Sequence, residues 1–289
     1  MKTIIDTHNH CCEFSADSSQ PLKERLEEAQ RLGLRGLVMT DHFDKWEDPA
    51  IASSEFHVLD IYPEDGEWVF NIPDYIERIR VAQENLAKAH SSLELYKGIE
   101  LGYRPYLVPA FLEVSTFYKD DLDLLIGSVH NLSPFGYPKL RKLYAKGKKE
   151  AYTLYLEALM KMVEDMPFMN VLGHFDYISR YNTYDDKKLR YEDFADHLDR
   201  LFKLIIERDI ALEINTATQL VKNPSGQPIG LTDEAILRRY KDLGGTLICL
   251  ASDAHHEGRV GQMFEQNKAQ LENLGFDKLC HFEKGQIAY

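Results

Sequence analysis

The feature that most limits how this chain can fold is a repeated alternation. Seven short apolar, β-branched runs, at 3–8, 36–42, 93–101, 122–130, 169–174, 210–215 and 246–253, each give way to a polar, amphipathic stretch. Helical periodicity covers 22–32, 72–89, 109–118, 151–165, 194–208, 233–243 and 260–274. Strands that alternate with helices run parallel, because each crossover returns the chain to the same end of the sheet. Gly33, Gly244 and Gly245 supply the turn residues at helix-to-strand joints. The number and regularity of the repeats point to an α/β chain closed as a (β/α) barrel rather than opened as a sheet. The 289 residues are enough for one large core, and no linker or internal repeat divides them, so 1–289 reads as a single domain. Two segments break the rhythm, 43–71 and 133–144, rich in aromatics with Pro or Gly. Both follow a strand, which makes them expected rim loops at the barrel mouth.

The run ends carry the chemistry. The chain opens MKTIIDTHNHCCEFSAD, with Ile4 and Ile5 leading into His8 and His10. Residues two apart on a strand face the same side, and two buried imidazoles are costly to desolvate without a partner. A divalent metal fits that role. The other run ends supply Asp17; Asp41 and His42; Glu100; His130; His174 and Asp176; Glu213 and Asn215; and Asp253 and His255. Six of the eleven histidines therefore sit at run ends, which a parallel barrel gathers at one mouth. A single strand-end histidine reads as a core residue, but an acid or imidazole at every end reads as a metal site. The mixture suits Zn, Mn or Fe better than Mg or Ca, which prefer oxygen ligands alone. His57, His90, His197 and His281 fall on loops, helix faces or the tail, and His256 on the rim.

Composition removes some functions. Net charge is −13, against a surface built for nucleic acid or an anionic membrane. No run approaches the roughly 18 apolar residues of a membrane span, and the N-terminus enters a strand without a signal-peptide pattern. The four cysteines, Cys11, Cys12, Cys249 and Cys280, show no CxxC spacing and read as free thiols of a cytoplasmic protein. A small-molecule partner is expected, with no marker of an oligomeric state.

The motifs DTHNH (6–10), SAD (15–17), TDH (40–42), GIELGY (98–103), GSVH (127–130), LGHFD (172–176), LEINT (212–216) and SDAH (252–255) resemble the PHP (polymerase and histidinol phosphatase) superfamily. They span nearly the whole chain in the family's order. GIELGY, LGHFDYISRY, LEINT and SDAHHEGRVG resemble the histidinol-phosphate phosphatase branch. The resemblance implies a distorted (β/α)7, TIM-like barrel with a trinuclear metal centre. The first ion would take His8, His10, Glu100 and Asp253. The second would share Glu100 as a bridge and add His130 and His174. The third would take Asp17, His42 and His255. It also implies a metal-dependent phosphomonoesterase that hydrolyses L-histidinol phosphate in histidine biosynthesis, with a metal-bound hydroxide attacking phosphorus. Arg180 and Arg259, just past two run ends, are candidate phosphate contacts by position and family likeness, and Arg104 is a third. Asp6, Asp41 and Asp176 are candidates to orient ligating imidazoles, and Glu213 and Asn215 to order the site or touch substrate. Tyr103, Phe43 and Trp46 are candidates to frame the leaving group. The rival readings are a PHP phosphoesterase acting on phosphodiesters, nucleotides or phosphotyrosine, and a non-catalytic metal-binding barrel. Acidity argues against the nucleic-acid version of the first, and complete ligand sets argue against the second.

Overall fold

The computed structural model describes residues 3–44, 70–130, 132 and 143–289. Seven parallel strands follow one another around the barrel: β1 (Ile5–Asn9), β2 (Gly36–Met39), β4 (Glu94–Gly102), β5 (Leu124–Ser128), β6 (Val171–Leu172), β7 (Ala211–Asn215) and β8 (Ile248–Ala251). A two-residue strand, β3 (His42–Phe43), pairs with β4 off this path. The first and last strands close the ring. Asp253 N donates to the His8 carbonyl at 2.9 Å, His10 N to Ala254 at 3.2 Å, and Thr7 Oγ1 to Leu250 at 3.0 Å.

The run 36–42 forms two strands rather than one. β2 ends at Met39 because Thr40 turns to β1, giving its N–H to Asn9 at 2.8 Å. The side chain of Asp41 is then free to accept from Cys11 N at 2.8 Å and Ser15 Oγ at 2.7 Å. Runs 122–130 and 169–174 also yield shorter ladders, since His130 and His174 lie past the last paired residue, where the chain bends into the mouth.

The helices α1 (Leu22–Leu32), α2 (Ile72–Lys88), α3 (Val108–Phe117), α4 (Lys148–Asp165), α5 (Tyr191–Glu207), α6 (Thr216–Leu220), α7 (Glu234–Asp242) and α8 (Phe264–Asn273) accompany the strands. α1 shows the local logic. Pro21 precedes the first turn and has no side-chain donor or acceptor for it, so the Glu13 carboxylate accepts the Leu22 N–H at 3.0 Å. Gly33 ends the helix in the left-handed region that a residue without Cβ adopts freely. The main apolar core lies between helices and strands.

A second cluster fills the barrel's interior at its N-terminal end: Ile5, Val38, Leu124, Ile126, Val171 and Leu247, packed with Phe282. Phe282 belongs to a hairpin that sequence periodicity did not reveal, β9 (His281–Glu283) antiparallel to β10 (Gln286–Ala288). Cys280 N bonds Ile248 at 2.8 Å, and Gly285 N bonds Asp123 at 2.9 Å, so the hairpin seats against the strand starts and floors the barrel. Of the expected rim loops, 45–69 (with Trp46) and 133–142 lie outside the described residues, whereas Phe43, Phe70, Leu143 and Tyr144 are buried.

Candidate metal centre

Glu100, near the end of β4 and fully buried, is the hub of the mouth. Its Oε2 lies 3.3 Å from His8 Nε2, 3.7 Å from His10 Nε2 and 2.6 Å from His42 Nδ1. Its Oε1 lies 3.1 Å from His130 Nε2 and 2.9 Å from His174 Nε2. One carboxylate thus faces five imidazoles brought in by four strand ends. Asp253 Oδ1 stands 3.2 Å from His10 Nε2, 3.7 Å from His8 Nε2 and 3.5 Å from His255 Nδ1. Asp253 itself has φ +51°, a left-handed conformation that aspartate tolerates better than most side chains. Farther out, Asp17 Oδ2 lies 3.5 Å from His42 Nε2 and 3.2 Å from His255 Nε2. All nine residues expected as ligands therefore come together. His42 joins the two regions, one ring nitrogen toward Glu100 and the other toward Asp17 and His255.

The arrangement fits metal ions on its own chemistry. His8 Nδ1 is 2.9 Å from Glu213 Oε2, so donating its proton there leaves Nε2 as a lone pair aimed at Glu100. His8 Nε2, His10 Nε2 and Glu100 Oε2 are buried, close together and without hydrogen-bond partners among the described residues. Acceptors facing acceptors in a dry site repel unless a cation, either a proton or a metal ion, lies among them. The donor atoms of His8–His10–Glu100, His42–Glu100–His130 and His10–His42–His255 each fall within 4.8 Å of one another, which makes each trio a candidate cluster. Charge is correspondingly strained. Burial would raise the Glu100 carboxyl, but His8, His130 and His42 hold it well below the carboxylate range. Burial together with His255 and His42 drives His10 well below the imidazole range.

Surrounding groups fix the candidate ligands. Glu213 orients His8 and also accepts His174 N at 3.0 Å. Asn215 Nδ2 holds Glu213 at 2.6 Å. Asp44, unremarked in the sequence, takes His130 Nδ1 at 3.1 Å while Glu100 faces the other nitrogen, the carboxylate–histidine pairing that stiffens metal ligands. A Cβ on Gly102 would collide with that Asp44 carboxylate, so glycine is required there. Among the described residues, the three aspartates expected to orient imidazoles bond no ring nitrogen directly, and Asp6 meets His8 at its backbone N–H, 3.5 Å away. Asp6 accepts from Ser252 N at 2.9 Å and Gly261 N at 3.4 Å. Asp41 fixes Cys11 N and Ser15 Oγ, and reaches His10 only through that serine, whose Oγ is 3.3 Å from His10 Nδ1. Asp176 lies beside Arg180 and Thr218, which favour its ionised form. Burial pushes all three carboxyls up to about 6.

A cavity of about 450 Å³ opens beside Asp17, Asp253 and His255 and is bordered by Arg180 and Arg259. Arg180 is held firmly: Nη2 donates to Asp253 Oδ2 at 2.8 Å and Asn215 Oδ1 at 2.9 Å, Nε to Thr218 Oγ1 at 2.9 Å, and the guanidinium stacks on Tyr177 at 4.8 Å. Arg259 is exposed on the cavity's outer side, bonded to Gln262 at 3.2 Å. Arg104 precedes a short 3-10 turn after β4 and does not border this cavity. Tyr103 is engaged elsewhere, donating to Asp165 at 2.5 Å.

A parallel barrel with histidines and carboxylates converging at its C-terminal mouth defines a metal-binding, TIM-like protein. The model of the PHP domain matches residues 6–217, and the chain belongs to the PHP domain family. It is 28% identical over 285 residues to the histidinol-phosphatase of Lactococcus lactis subsp. lactis, covering 98% of this chain and 96% of that one. It is 27% identical over 286 residues to the probable histidinol-phosphatase of Clostridium acetobutylicum, covering 99% of each. Among solved structures, the L. lactis histidinol phosphate phosphatase complexed with zinc, L-histidinol and phosphate superposes with a TM-score of 0.77 at 25% identity, over 99% of both chains.

Proposed function

We propose that this protein is a metal-dependent phosphatase that hydrolyses L-histidinol phosphate to L-histidinol and phosphate, a cytoplasmic step of histidine biosynthesis. The observation that carries the chemistry is the ring of buried lone pairs around Glu100, opening onto a cavity bordered by a fixed arginine. Full-length similarity to histidinol-phosphatases supports the substrate. No described helix is long and apolar enough to cross a membrane.

Three divalent ions, zinc by analogy with the L. lactis complex and otherwise manganese or iron, would be held by His8, His10, Glu100 and Asp253; by Glu100, His130 and His174; and by Asp17, His42 and His255. Bound there, such ions would lower the pKa of a water toward about 7 and neutralise phosphoryl oxygens. The protein's own part is placement. Asp253, Asn215 and Thr218 engage Nε and Nη2 of Arg180, leaving Nη1 to receive a phosphoryl oxygen. Arg259 adds a second positive group on the solvent side of the cavity. Glu213 and Asp44 fix the His8 and His130 tautomers, so that each presents Nε2 inward. The test is phosphate release by the zinc- or manganese-loaded protein. A kcat/KM for L-histidinol phosphate of at least ~10⁴ M⁻¹s⁻¹ is expected. Equal or better turnover of phosphotyrosine, sugar phosphates or a phosphodiester would overturn the substrate assignment.

A further inference from the structure

The apolar stripe of α1 reads Leu22, Leu26 and Ala29, and Arg25 sits in the middle of it, completely buried. A charge on a core-facing stripe needs partners. Each of its hydrogen bonds ends on a backbone carbonyl. Nε and Nη2 donate to the His10 carbonyl at 3.2 and 2.9 Å, and Nη1 to that of His256 at 3.4 Å. Ser18 joins the same knot, its Oγ lying 3.3 Å from the His10 carbonyl and 3.0 Å from that of His255. Ser19 N donates to His255 at 2.9 Å, and Ser19 Oγ lies 2.9 Å from His256 Nδ1.

The knot fixes what the barrel does not. His8, Glu100 and His42 lie within strands, and Asp253 N bonds β1 directly. Asp17 and His255 stand beyond the strand ends, and the Asp17 side chain is 37% exposed. Their separation depends on how the 15–19 segment meets the 254–256 segment. Two strand-end bonds, His10 N to Ala254 and the isolated Asn9–Ala254 bridge, begin that contact, and Ser18, Ser19 and Arg25 continue it. The guanidinium ties the His10 carbonyl, just past β1, to the His256 carbonyl with three directed donors, while Ser18 and Ser19 bring the segment that carries Asp17 to the same place.

We propose that Arg25 and Ser18 are positioning residues for the outermost ion, the one Asp17, His42 and His255 would hold, so that α1 governs its retention more than that of the inner ions, of whose ligands they touch only the His10 carbonyl. This rests on the metal-centre reading above. The test is metal content per chain by elemental analysis, after equilibration of zinc-loaded protein against a graded chelator, with melting followed by circular dichroism. Wild type should hold about three ions. Arg25→Met and Ser18→Ala should release one of the three at roughly 10- to 100-fold higher free zinc, the scale of lost ligand-orienting contacts. Arg25→Lys, which keeps a donor for one carbonyl, should fall between. Asp17→Asn should lose the same ion, and adding Arg25→Met to it should release no further ion. Ser18→Ala removes no buried charge, so it decides the matter if Arg25→Met does not fold. Unchanged release in Ser18→Ala, or simultaneous release of all ions from a folded variant, would overturn the proposal. A wild-type protein that binds no transition metal would defeat the metal-centre reading itself, before any variant is compared.

Discussion

The two ends of this barrel are built on opposite terms. At the floor, Phe282 closes against Ile5, Val38, Leu124, Ile126, Val171 and Leu247, with Cys249 and Cys280 as small apolar fillers. Nearly every atom there gains from being out of water. At the mouth, His130 Nε2 lies 3.3 Å from His174 Nε2 and His42 Nε2 3.1 Å from His255 Nε2, and the Glu100 carboxylate has a buried oxygen without a hydrogen-bond partner among the described residues. Without cations these groups destabilise one another. The same strands thus supply stability at one end and hold a strained ligand set at the other, and the strain is tolerated because the floor and the helical layer over-determine the backbone.

Substitutions at each end should separate the two roles. The largest effect is expected for Glu100→Gln, which removes the hub: kcat should fall by at least about 10³-fold, some 4 kcal/mol of lost transition-state stabilisation. Bound metal should drop with it, while the chelated protein melts no lower than chelated wild type. Normal metal content with retained turnover would remove Glu100 from the centre. At the floor, Phe282→Ala should cost about 3–5 kcal/mol in denaturant unfolding, with kcat/KM per folded molecule and metal content unchanged. Lost activity without lost stability would erase the distinction between the ends. Arg180→Ala should lower kcat/KM by about 10- to 100-fold, the worth of a hydrogen bond to a charged group, and leave metal in place because Asn215 still holds Asp253 at 3.3 Å. An unchanged kcat/KM would take Arg180 out of the phosphate site. The smallest change is expected for Asp44→Asn, about tenfold in metal affinity by competition with a chelator. No change would reduce Asp44 to a packing residue beside Gly102.

What could be read without coordinates divides along the same line. The strand–helix order was legible because β-branched runs and helical periodicity are local signals. The convergence of the candidate ligands was legible because a parallel barrel converts run ends into neighbours. Contacts between distant segments were not: Asp44 is 86 residues from His130, and nothing around HFD signals their meeting. Arg25 left a trace, as a charge out of place on the stripe Leu22, Leu26 and Ala29, but solvent-facing arginines are common enough to hide it. The floor hairpin also left one. Lys284 and Gly285 both have positive φ, the two-residue turn a glycine permits, yet its strands span three residues each, too few for alternation to stand out. Glu213, expected to order the site or touch substrate, is the direct partner of His8.

The closure between β1 and β8 has a consequence for how the molecule is made. His8 and His10 are made more than two hundred residues before Asp253 and His255, and the flooring hairpin follows those. A growing chain therefore displays imidazoles and Glu100 before it can enclose an ion with them. The candidate set is complete only when the first strand meets the last, so closure of the barrel is also the step that brings Asp253 and His255 to the residues around Glu100.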